Sequence, residues 1–241
     1  MNIRIDKYLA DMGMGSRTEI KNYIRKGLVL CNGSKVKSPN DKIDTEKDIV
    51  LYKGEEVKYY EYEYFLLNKP AGVISATEDN RSKTVLDLIT DNNRKDLFPV
   101  GRLDKDTEGL LLITNDGALA HELLSPKKHV DKTYYVETDS RLTEEHVKMF
   151  AEGVRVNEEF VALSAVLMIK EAKDSGSKAL LTIHEGKFHQ VKRMMEAVGN
   201  TVTYLKRISM GPLVLPEDLG IGEYRRLSEE EIILLKGIDN V

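Results

Sequence analysis

Residues 101–117 read GRLDKDTEGLLLITNDG. The run Leu110-Leu111-Leu112-Ile113-Thr114 is apolar, short and without helical spacing, which marks a buried strand. Asn115-Asp116-Gly117 stops it as a turn, and residues 117–124 return to helical spacing. Just before the strand, Asp104, Asp106 and Glu108 stand at alternate positions, with Arg102 two residues ahead of the first. An arginine beside a carboxylate favours its ionised form. Loops at the ends of buried strands are where catalytic groups concentrate. Three readings stand at this point: a polar turn, a hard-metal site in which the acids hold Mg²⁺, and a single catalytic aspartate. Lys105 lies between two of the supposed metal ligands, and no histidine completes the set.

Outward from this segment the text alternates strands with short helices. Residues 64–67 form an apolar run ended by Asn68-Lys69-Pro70-Ala71-Gly72. Residues 84–89 suggest a short helix. Residues 133–138, 162–169 and 178–184 read as strands. Residues 143–152 and 188–198 read as helices, and residues 228–236 as a helix capped by Ser228 with Glu231. The even βαβ rhythm of a doubly wound sheet is missing. An α+β fold with a mostly antiparallel sheet is expected.

Toward the N-terminus, Ile5, Tyr8, Leu9 and Met12 keep helical spacing until Gly13 and Gly15 interrupt it. Ser16, with Glu19 three residues on, opens a second helix. Arg17, Lys21 and Arg25 form a basic stripe beside its apolar side. Residues 28–31, the Asn32-Gly33 turn and residues 34–37 read as a hairpin, and residues 48–52 as a third strand. Residues 53–61, KGEEVKYYE, are charged and aperiodic and read as a linker. The expected division is residues 1–59 and residues 60–241.

The whole chain of 241 residues carries 36 Lys+Arg against 40 Asp+Glu, a net charge of −4. Residues 4–37 hold eight basic and three acidic groups, a local excess of +5. Polyanion binding follows the local field, not the total. A single Cys excludes an internal disulfide or a multi-cysteine metal site. No apolar run approaches the ~18 residues of a membrane span, and the first residues lack the apolar stretch of a signal peptide. A cytoplasmic protein with no membrane contact is expected.

Two resemblances carry the reading further. RIDKYLADMGMGSRTEIKNYIRKGLVLCNGSKV resembles the S4-type RNA-binding domain. That resemblance implies phosphate contacts by Arg4, Lys7, Arg17, Lys21 and Arg25. GRLDKDTEGLLLITNDG resembles the central motif of RNA pseudouridine synthases. DKTYYV resembles that family's K-x-Y strand, and EGKFHQVKRM its EGK-x-HQVKRM helix. The family resemblance implies that Asp104 is the essential catalytic residue. It also implies that Tyr134 packs on the target base and that Lys192 pairs with Asp104. Arg102, His189, Gln190 and Arg193 are expected to face the RNA. Arg102 would fill the hole left by the flipped nucleotide or grip its phosphate. Asp106 and Glu108 are left between loop structure and substrate positioning.

The implied architecture is a small S4-like α/β domain followed by a larger pseudouridine-synthase-like α+β domain. No cofactor is implied, because the isomerisation needs neither redox change nor group donor, and no metal is assigned. HQVKRM followed by AVGN resembles enzymes that modify one uridine of 16S rRNA. A monomer acting on ribosomal RNA or a partly assembled small subunit is therefore expected. The alternatives are a 23S rRNA synthase, a non-catalytic assembly factor and a metal-dependent nuclease. A generic S4-type protein is disfavoured, since no nucleotide-binding motif is present.

Overall fold

A computed structural model describes residues 1–237. The chain divides into two compact units, Met1–Glu63 with Thr90–Leu97, and Tyr64–Ile89 with Phe98 onward. The division thus falls at 63/64 rather than 59/60, and a later segment joins the first unit.

In the first unit the elements are β1 (Asn2–Arg4), α1 (Ile5–Asp11), α2 (Arg17–Arg25), β2 (Val29–Cys31), β3 (Ser34–Lys35), β4 (Lys42–Asp44), β5 (Val50–Tyr52) and β6 (Glu55–Glu56). Ile5, Tyr8, Leu9 and Met12 turn inward with Ile20, Ile24, Val29 and Val50. The expected capping box holds the start of α2: the Ser16 hydroxyl accepts from the Glu19 amide, and the Glu19 carboxylate accepts from the Ser16 amide. Asn32 and Gly33 both take positive φ, as the two-residue hairpin between β2 and β3 requires. β1 and β4 pair with each other, and the other four strands run β3-β2-β5-β6.

The linker reading of residues 53–61 is corrected. β6 pairs with β5, Val57 is buried, the Tyr8 hydroxyl donates to the Val57 carbonyl, and Tyr59 stacks on Tyr8. A two-residue edge strand is too short to display periodicity. The later segment is anchored by Arg94, only 4% exposed, which pairs with Asp11 and Asp96. The buried Glu63 carboxylate accepts from the backbone amides of Asn93 and Arg94 and from the Asn93 side-chain amide.

The second unit comprises β7 (Tyr64–Lys69), β8 (Phe98–Pro99), β9 (Glu108–Thr114), α3 (Gly117–Leu124), β10 (Lys132–Thr138), α4 (Glu144–Glu152), β11 (Val166–Lys173), β12 (Gly176–Ile183), α5 (Gln190–Ala197), β13 (Val202–Met210), β14 (Leu213–Val214), β15 (Tyr224–Arg226) and α6 (Glu229–Lys236). The expected helix at residues 84–89 is a single 3-10 turn, Leu86–Leu88. The strand expected at residues 162–169 starts later, at Val166. The main sheet runs β11-β12-β10-β13-β9-β7-β15, with β8 beside β9 and β14 beside β13. Its pairings are antiparallel except between β13 and β9. Tyr64, Leu66, Leu110, Leu112, Leu119, Leu123, Met210 and Leu235 pack α3 and α6 into one core. Asp116 caps α3 through the Leu119 amide and accepts the Tyr64 hydroxyl, which makes it structural.

The parallel seam joins the two halves of the sheet at Glu108↔Lys206 and Gly109↔Arg207. A Cβ on Gly109, whose φ is +102°, would lie 2.2 Å from the Arg207 carbonyl oxygen. Arg207 is buried there and donates Nε to the Leu110 carbonyl at 2.7 Å. Two lysines are buried near the seam. Lys69 Nζ donates to the carbonyls of Pro70, Asp104 and Thr107 at 2.8–3.1 Å. Lys132 Nζ donates to the Val130 carbonyl. Burial pushes both ammonium groups down to about 8. Nearby Asp106, Asp104 and Glu108 partly offset this at Lys69, while Arg207 adds to it at Lys132.

Gly109→Ala is expected to lower stability by about 3 kcal/mol or more, or to prevent folding, because backbone and not a flexible side chain occupies the space. Chemical denaturation of the purified variant measures this. The lysines set a pH dependence. Unfolded, they titrate near 10.5, and folded near 8. Between these values the unfolded chain binds more protons, so stability of the second unit rises with pH. Above about pH 10, burial holds the Tyr135 and Tyr204 phenols protonated in the folded state and the trend reverses. Urea unfolding across pH 7–11 is expected to show the rise, with Lys132→Met flattening it.

Candidate active site

Hydrogen bonds to its backbone hold the loop from β8 to β9, beside the buried Val100 and Leu103. Lys69 binds the carbonyls of Asp104 and Thr107, and the Thr107 amide closes a tight turn on the Asp104 carbonyl at 3.1 Å. The Gly72 amide donates to the Lys105 carbonyl at 2.7 Å. Ser75 Oγ accepts from the Leu103 amide and donates to the Leu103 carbonyl. With the loop backbone so occupied, the Asp104 carboxylate projects partly exposed into an open cleft.

The opposite wall comes from the other half of the sheet. On β10, Lys132, Tyr134, Val136 and Thr138 face inward by strand alternation, and Tyr134 presents its ring to the cleft. α5 supplies Lys192, and the turn before it supplies His189. That turn is braced by Glu185. Its Oε1 accepts from Gln190 Nε2 at 2.8 Å and from the Leu163 amide at 3.0 Å. Gln190 Oε1 in turn accepts the Lys187 amide at 2.9 Å. His189 adopts the left-handed conformation, φ 49°, that starts the helix.

Asp104 stands between two bases. Lys192 Nζ is 3.4 Å from Asp104 Oδ2, and His189 Nε2 is 3.5 Å from Asp104 Oδ1. Lys192 lies closer to Asp106, at 2.6 and 2.8 Å from its two oxygens. A compact ammonium can be shared between two carboxylates in this way, whereas a guanidinium fork favours one. The hydrogen bond from Lys192 pulls the Asp106 carboxyl below its ordinary range. The three alternating acids do not converge: Asp104 faces the cleft, Asp106 takes Lys192, and Glu108 accepts the Tyr204 hydroxyl at 2.6 Å.

The structure brings Asp104, Tyr134, Lys192, Arg102, His189 and Gln190 to one cleft. Arg102 is exposed at its edge. Two expected RNA contacts change character. Gln190 is buried and its amide is spent inside the protein, so it shapes the turn. Arg193 does not line the cleft, and its guanidinium lies 5.7 Å from the Phe160 ring centre. In the first unit, Arg17, Lys21 and Arg25 are exposed on α2 and make no ion pair among the described residues. Arg4 and Lys7 already have carboxylate partners: Arg4 is forked onto the buried Asp6, and Lys7 is paired with Asp11, while both cations stay partly exposed. Both acids belong to α1, at its first and last turns. Sequence motifs alone do not reveal the supporting contacts of Lys69 and Glu185, whose partners lie on other segments.

Comparison with known proteins agrees with this geometry. Residues 63–197 match the family model described as RNA pseudouridylate synthase, and residues 3–50 match the S4 domain. An uncharacterized RNA pseudouridine synthase of Bacillus subtilis is 50% identical over 97% of this chain and 98% of its own length. The ribosomal small subunit pseudouridine synthase A of Vibrio vulnificus is 40% identical over 95% of this chain and 98% of its own. A crystal structure of a pseudouridylate synthase superposes with a TM-score of 0.67 at 37% identity, covering 97% of this chain and 99% of that one. No helix among the described residues is long and apolar enough to cross a membrane. With an S4 domain ahead of a cleft that gathers Asp104, Tyr134 and Lys192, the chain belongs to the RNA pseudouridylate synthase family.

Proposed function

We propose that the protein isomerises one uridine of 16S rRNA to pseudouridine, with Asp104 as the catalytic group. The reaction breaks the N1–C1′ bond, turns the base, and joins C5 to C1′. The proton lost from C5 is balanced by the one gained at N1, so the product is an isomer. A base inside a helix must leave its stack to reach such a cleft. The observation that carries the reading is the Asp104 carboxylate, partly exposed in a cleft walled by Tyr134 and flanked by Lys192 and His189. From there it either attacks C1′ or removes a ribose proton during cleavage. Tyr134 stacks on the uracil. Lys192 pairs with the carboxylates of both Asp104 and Asp106. Arg102, at the cleft edge, meets the phosphate or the gap left by the flipped nucleotide.

The choice of small-subunit RNA is supported by the Vibrio relative, which is named for it and matches nearly end to end. Exposed Arg17, Lys21 and Arg25 supply phosphate contacts, which position RNA without reading its sequence. A cytoplasmic location follows from that substrate. The divided acids speak against the metal-dependent nuclease.

Asp104→Asn keeps the shape and removes the charge. It is expected to abolish pseudouridine formation on 16S rRNA while leaving the fold intact; substantial product from this variant overturns the assignment. Mapping rRNA from cells lacking the protein should show one missing pseudouridine in 16S rRNA, and a loss in 23S rRNA instead would reassign the target. Lys192→Met is expected to cut the single-turnover rate severely with folding retained. Near-normal rates would move the basic role to His189. Replacing Arg17, Lys21 and Arg25 together by Gln should weaken RNA binding and lower the slope of log affinity against log salt by about three.

A further inference from the structure

Phe188 is 71% exposed, the highest value among the exposed large hydrophobic side chains. Leaving a benzyl group in water forgoes the gain of burying it, and no core contact explains its position. Its neighbours in sequence, Lys187 and His189, both line the cleft. One face of the ring is stacked on the His189 imidazole, with centroids 3.8 Å apart and planes 17° apart. That imidazole lies 3.5 Å from Asp104. The turn is pinned by the Glu185–Gln190–Lys187 bonds and by the left-handed His189. The ring is therefore held beside the reacting group with its outer face bare. Cations flank it in sequence: Lys187 precedes it and Lys192 follows one turn on, and both line the same cleft.

An exposed aromatic set in a basic rim is the combination by which proteins hold unpaired bases. Turning a uridine out of its stack also strips the neighbouring base of one stacking partner. We propose that the outer face of Phe188 is a stacking platform for the nucleobase adjacent to the flipped uridine. His189 backs the platform and ties its position to Asp104. The assignment rests on the pseudouridylation reading above and adds to it a second, sequence-tolerant base contact outside the catalytic pocket.

The test uses the full-length protein, its Phe188→Ala and Phe188→Trp variants, and a 16S rRNA fragment containing the mapped uridine. Two further RNAs carry an abasic residue on the 5′ or the 3′ side of that uridine. On intact RNA, Phe188→Ala is expected to weaken binding about tenfold, the scale of one lost base–aromatic stack. Phe188→Trp is expected to keep wild-type affinity. The salt slope should stay unchanged, because no phosphate contact is lost. On one of the two abasic RNAs the wild type and Phe188→Ala should bind equally, closing a double-mutant cycle. An alanine variant that binds intact RNA like wild type overturns the proposal. So does an equal loss on the intact and both abasic RNAs. A wild-type protein that forms no pseudouridine in rRNA removes the reaction reading and this inference together. An active wild type with an indistinguishable alanine variant removes this inference alone.

Discussion

One contact holds the catalytic unit in its working form: the backbone of β9 at Gly109 lying against the backbone of β13 at Arg207. It is the parallel pairing in an otherwise antiparallel sheet, and it stitches β11-β12-β10-β13 to β9-β7-β15. Asp104 is carried on the loop that enters β9. Tyr134 is carried on β10, Lys192 on the helix that precedes β13, and His189 on the turn that opens that helix. The cleft therefore straddles the seam. Any side chain at Gly109 would part the strands and with them the two walls of the site. Arg207 answers the closeness by giving its Nε to the Leu110 carbonyl within a space that admits no water-facing escape.

The charges obey the same economy. Beneath the loop, a buried ammonium on Lys69 takes backbone carbonyls as partners instead of a carboxylate, which leaves the acids of the loop free to face outward. Above it, a single ammonium on Lys192 is shared between Asp104 and Asp106. Asp106 is the more exposed of the two and takes the shorter bonds. A lysine that leans toward the solvent-side acid leaves the cleft-side acid with room to meet a substrate. The neighbouring His189 adds a second nitrogen on the other side of Asp104.

The sequence made much of this legible where a local rule governs. The capping box at Ser16, the Asn32-Gly33 turn, α3 from its Asp116 cap and the C-terminal helix cap at Ser228 are each decided by a few adjacent residues. The order of motifs gave the cleft composition, because Asp104, Tyr134 and Lys192 each belong to a distinct motif. Three things were hidden. β13 has no clear signature because Lys206 and Arg207 interrupt its alternation, and burying Arg207 depends on a carbonyl from a strand almost a hundred residues earlier. A count of charges does not show that Arg4 pairs with Asp6 and Lys7 with Asp11. β6 and the excursion at Thr90–Leu97 were invisible because neither carries a periodic pattern; tertiary partners alone define them.

That excursion bears on how the protein is made. The chain passes between its two units three times, at 63/64, 89/90 and 97/98. The N-terminal unit is therefore unfinished when its first 63 residues leave the ribosome. The buried Glu63 carboxylate takes its amide donors from Asn93 and Arg94, some thirty residues later, and Asp11 gains Arg94 as a further partner beside Lys7 and Tyr59. Domains synthesised first ordinarily fold first; here the RNA-docking unit closes only after the first strand of the catalytic unit has emerged. Synthesis thus links the completion of one unit to the start of the other, and a nascent chain halted before residue 94 would present its basic helix on an incomplete support.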